Sequence, residues 1–120
     1  MTQIEVERIA AADPAGVALL LAGPTPEDLW PGVSGSDQPG LVLGAPTRAG
    51  VGFVVEVDVA DPGLGGARGR VVVEPAPTGA GTTVRLQLTS SDVVAPIIRH
   101  RASVFVDALA QLAQSRSSAA

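Results

Sequence analysis

The sequence predicts an α+β fold in which one long C-terminal helix lies across a curved antiparallel sheet. Two observations carry this expectation. From Asp92 to about Ser115 the apolar residues Val94, Ile97, Ile98, Val104, Phe105, Ala108, Leu109 and Leu112 recur at helical steps and form one stripe. Between Leu41 and Ser90 the period becomes two, in runs separated by Gly- and Pro-rich clusters. Successive alternating runs with short turns read as an antiparallel meander.

Taken in order, Gln3 to Ile9 alternates Ile4 and Val6 against Glu5 and Glu7, as a half-buried strand does. Asp13-Pro14 supplies an N-cap and a Pro at the first helical position, and a short helix follows to Gly23-Pro24. Thr25 to Trp30 reads as a second short helix, and Gly32 to Gly40 as loop. Leu41 and Leu43 open a strand. Gly50 to Val59 places Val51, Phe53, Val55, Val57 and Val59 on one face. Asp61 to Gly66 is a turn. Arg68 to Glu74 turns Val71 and Val73 inward, and Thr82 to Ser90 does the same with Val84, Leu86 and Leu88. Ser91 or Asp92 is placed to cap the long helix, and Pro96 confines its start to Asp92–Ala95. Residues 1–115 read as one domain and residues 116–120 as a disordered tail.

Composition removes several functions. The 120 residues contain no Cys and one His, His100, which leaves no thiolate site and no ordinary zinc site. Every basic residue is Arg and the net charge is -4, which argues against nucleic acid or an anionic membrane as partner. No run reaches the ~20 apolar residues of a membrane span. Ala15 to Gly23 is apolar but follows Glu5, Glu7 and Asp13 rather than a basic segment, so a cytoplasmic protein is expected. The residue usage, rich in Ala, Gly, Val and Arg, suggests a bacterial source.

Ile4-Glu5-Val6, the Pro-started helix, Leu29-Trp30-Pro31-Gly32 and Gly81-Thr82-Thr83-Val84 occur in an order that resembles the START-like (SRPBCC) superfamily, and within it small bacterial polyketide cyclase/dehydrase-type proteins. The resemblance implies a helix-grip fold, with the sheet wrapped around the C-terminal helix. It also implies a cavity between them for a hydrophobic small molecule, in lipid carriers as in aromatase/cyclases. The stretch between Trp30 and Val71 is compressed relative to that pattern.

A cavity wall would come from inward positions, among them Phe53, Val55, Val57, Leu86 and Leu88 on the strands and Ile97 and Phe105 on the helix. A solid core is the competing expectation for the same residues. Arg101 falls near the middle of the helix's apolar arc. Two roles fit it: anchoring a ligand anion, or reaching out to water or to an acid such as Glu27 or Asp28. Arg8 shares the parity of Ile4 and Val6. Trp30 either packs the helical pair or gates a pocket. His100 sits at the boundary of the arc.

Nearly every strand acid has outward parity, so the sheet offers almost no inward acid or base and an enzyme is disfavoured. Gly63 to Gly69 lacks both phosphate-binding glycine spacings, and no pattern asks for a metal or cofactor. The leading expectation is a non-catalytic carrier or sensor binding a small hydrophobic or amphipathic ligand. The alternatives are a scaffold acting through homodimerisation or a protein partner, and a polyketide aromatase/cyclase-type enzyme.

Overall fold

A computed structural model describes residues 1–23, 30, 41–59 and 67–118, the last three of these through their backbone. The expected helix at Thr25–Trp30, the loop at Gly32–Gly40, the turn at Asp61–Gly66 and the end of the tail lie outside those residues. The elements run β1 (Thr2–Ala10), α1 (Pro14–Ala22), β2 (Leu41–Leu43), β3 (Thr47–Ala49), β4 (Gly52–Val59), β5 (Arg68–Pro75), β6 (Thr82–Ser90) and α2 (Ala95–Ser118).

The six strands form one sheet in the order β1-β6-β5-β4-β2, with β3 also on β4. Every pairing is antiparallel. The alternation in the sequence becomes two faces. Ile4, Val6, Val55, Val57, Val71, Val73, Val84, Leu86 and Leu88 are buried on the inner face. Glu5, Glu7, Glu56, Asp58, Arg68 and Arg70 are exposed on the outer one. The 24-residue α2 is ~36 Å long, close to the 38 Å longest dimension of the molecule. It packs on β1 and β6, whereas α1 packs on β4 and β5 and touches α2.

At Gly69 the β5 backbone lies close against β6. A Cβ there would stand 1.6 Å from the Gln87 carbonyl oxygen, so only glycine permits the approach. The β3–β4 hairpin closes through Gly50 and Val51, with Ala49 opposite Gly52. Gly50 takes φ 59°, the left-handed region such two-residue loops need.

Several expectations are corrected. Val51 is not an inward strand residue but an exposed hairpin tip. β3 has no counterpart in the sequence reading, because Thr47, Arg48 and Ala49 are all exposed and carry no apolar alternation. Pro14 does start α1, but the Asp13 side chain makes no capping bond. Asp92 does not cap α2; it accepts a hydrogen bond from the Thr2 hydroxyl and forms an ion pair with the amino terminus at 3.4 Å. The helix runs on to Ser118.

The largest correction concerns the face that α2 buries. Ala95, Ile98, Ala102, Phe105, Val106, Leu109, Ala110 and Ala113 are buried, whereas Ile97 is 48% and Val104 40% exposed. The buried face is therefore turned by about a quarter of a revolution from the stripe read in the sequence. Four alanines, Ala95, Ala102, Ala110 and Ala113, line it.

Candidate functional site

Polar contacts along one flank fix the direction of α2. Thr2 reaches Asp92. Arg8 Nε donates to Asp107 Oδ1 at 2.5 Å, and Arg8 Nη2 donates to Ser103 Oγ at 3.2 Å. The Ala11 amide donates to Gln114 Oε1 at 3.3 Å. Residue numbers rise together on β1 and α2, so the two run parallel. Ser103 and Asp107 mark the flank facing β1. At ~100° per residue, Phe105 lies on the far side of the buried face, and Val94, Arg101, Ala108 and Leu112 lie on the opposite flank, toward β5 and β4.

The roof over the inner sheet face is therefore built in two pieces, α2 over β1 and β6 and α1 over β5 and β4. Trp30 is packed against Phe105 on the far side of α2, with ring centroids 6.1 Å apart and planes tilted by 55°. That spacing suits an edge-on aromatic pair. Trp30 is 3% exposed, and its indole Nε1–H has no hydrogen-bond partner among the described residues. A buried donor left unpaired costs about 1–3 kcal/mol. The apolar cluster that includes this pair is bordered by partly buried Ala12, Leu43, Phe53, Val94 and Leu112.

The sequence-derived site residues separate into groups. Val55, Val57, Leu86, Leu88 and Phe105 are buried at 2% exposure or less, inside the packed core. Phe53 and Arg101 are half-buried. Trp30 is in the core, next to Phe105. Ile97 points to solvent and stands apart from them. His100 is exposed. Arg8 is engaged by Asp107 and Ser103. Among the described residues, no cluster of His, Asp or Glu is placed to hold a metal ion, and no helix is long and apolar enough to cross a membrane.

The outer face carries a feature that sequence reasoning did not find. A depression of about 850 Å³ crosses β1, β6, β5 and β4, lined by Gln3, Glu5, Gln87, Arg70 and Glu56 among others. Glu5, Gln87, Arg70 and Glu56 form one cross-strand row. Arg70 donates to Gln87 Oε1 at 3.1 Å, and Gln87 donates to Glu5 Oε2 at 3.4 Å. Next along the face, Arg85 meets Glu7 at 2.9 Å, Glu74 at 3.3 Å and Glu5 at 3.7 Å. Its pKa is raised, first by the hydrogen bond to Glu7. The parity of these residues was legible; the register that assembles them was not.

No family model and no curated protein sequence matches the chain. Solved structures do. The Aha1 dimer from Colwellia psychrerythraea superposes with a TM-score of 0.62 at 15% identity, over 95% of this chain and 97% of that one. TTHA0849 from Thermus thermophilus superposes with a TM-score of 0.57 at 16% identity, over 97% and 99%. The fold is the helix-grip fold. At these identities the likeness establishes the architecture alone, and the helix-grip sheet and its C-terminal helix are the frame in which Trp30 and Phe105 meet.

Proposed function

We propose that this helix-grip chain is a non-catalytic binding protein for a small hydrophobic or amphipathic molecule. The molecule enters beneath the far flank of α2, beside Trp30. The observation that carries this reading is the divided roof. One apolar sheet face is covered by two helices, with an aromatic pair beside α2 and partly buried Phe53, Leu43, Val94 and Leu112 bordering the core. The resemblance to START-like proteins, which hold such molecules between sheet and helix, supports the same reading. Among the described residues the acids Glu5, Glu7, Glu56 and Asp58 of the strands face outward, which favours binding over catalysis.

Calorimetric titration with medium-chain fatty acids, flavonoids and a hydrophobic dye tests the proposal. Micromolar binding of at least one class is expected, and silence from all of them sinks it. A second reading, a scaffold acting as a homodimer, is favoured by the exposure of Ile97 and Val104 on α2. The description of the Colwellia structure as a dimer fits that reading. Light scattering that shows a dimer broken by Ile97→Ser would support it.

A further inference from the structure

We infer that the ligand carries a hydrogen-bond-accepting oxygen on an apolar body, and that this oxygen takes the Trp30 indole N–H. The inference rests on the binding reading above and names the chemical class that it leaves open. Trp30 is the only tryptophan of the chain. It is 3% exposed, and its Nε1–H is one of two buried side-chain polar atoms left without a partner among the described residues. The other, Thr83 Oγ1, has outward parity on β6 and lies away from the inner face. Indole is a donor only, so its partner must be an acceptor. The Phe105 ring beside it offers none. A purely apolar occupant would leave the donor unpaired, whereas a ketone, ester or carboxylate oxygen pairs it while its hydrocarbon part rests on Phe105. An apolar ligand leaves the donor as unpaired as it is without one, whereas an acceptor gains a buried hydrogen bond.

A matched pair of probes tests this: a naphthyl methyl ketone and the ethylnaphthalene of nearly the same shape. The ketone is expected to bind about tenfold tighter, the worth of one buried hydrogen bond. The single indole N–H resonance in heteronuclear NMR is expected to move downfield with the ketone only. In Trp30→Phe, which keeps an apolar ring and removes the donor, the ketone's advantage is expected to vanish. Equal affinities in the wild-type protein overturn the inference and leave the binding reading standing, as does an unmoved indole resonance or an advantage that survives in Trp30→Phe. If neither probe binds, and the fatty acids and dye also fail, both fall together. The wild-type comparison decides the matter even if the variant does not fold.

Discussion

At Gly69 a single hydrogen atom decides whether two strands can pair. An added methyl group would meet the Gln87 carbonyl oxygen at 1.6 Å, so Gly69→Ala must push β5 off β6. A loss of about 3 kcal/mol or more is expected in urea melts. Gly16, on the exposed side of α1, has nothing within 4 Å of the same added atom. Gly16→Ala is expected to gain about 0.5–1 kcal/mol, because it removes backbone freedom from the unfolded chain. Nothing in the sequence separates these two glycines, since the difference lies in a neighbouring strand. Asp92 shows the same dependence on a distant partner. Its carboxyl is held below the usual carboxylate range, first by the Thr2 hydroxyl and then by the amino-terminal ammonium. A lowered folded-state pKa gives stability that is complete above the ordinary carboxylate value and is lost as pH falls through the lowered one. Asp92→Asn is therefore expected to be less stable than wild type at neutral pH and to converge with it in strong acid. A gap that stays constant across the pH series would show that the contact does not act through charge.

Among the elements, α2 holds the sharpest contrast between neighbours. Ile98 is fully buried and Ile97 is 48% exposed. Ile98→Ala is expected to cost about 2–5 kcal/mol and Ile97→Ala about 0.5 kcal/mol or less. Equal losses would return the helix to the orientation read in the sequence. That orientation was misread for a physical reason. Hydropathy counts Ile and Val as stronger core residues than Ala, yet the buried face of this helix carries Ala95, Ala102, Ala110 and Ala113. The helix itself, its approximate start and five of the six strands were legible from period and turn residues. The polar flank adds less than its short distances suggest. Arg8 and Asp107 are each nearly half exposed, so a double-mutant cycle is expected to return about 0.2–1 kcal/mol.

Across the whole molecule, the first strand finds its partner late in the chain. Ala10 lies opposite Thr82 and Thr2 opposite Ser90, so closing the β1 edge must wait for nearly the entire sequence. Long-range pairing of this kind slows folding. Refolding followed by far-ultraviolet circular dichroism is expected in milliseconds to seconds; a microsecond phase that recovers the full signal would contradict it. This is also the scale at which the sequence was least legible. Period two assigns each residue to a face, but it does not say that β6 joins β1 to β5. Without that order Glu5, Gln87, Arg70 and Glu56 are scattered outward residues, and with it they are one row across an open depression. Trp30 stands out in the sequence, but its contact with Phe105 depends on long-range packing.

The aromatic pair also fixes how this protein meets light. The chain has one tryptophan and no tyrosine, so its near-ultraviolet absorption and dichroism come almost wholly from Trp30, with the two phenylalanines adding weak fine structure. Most proteins average such a spectrum over many chromophores. Here the band belongs to one indole, held at a fixed tilt against one ring, in the place where a guest molecule would sit.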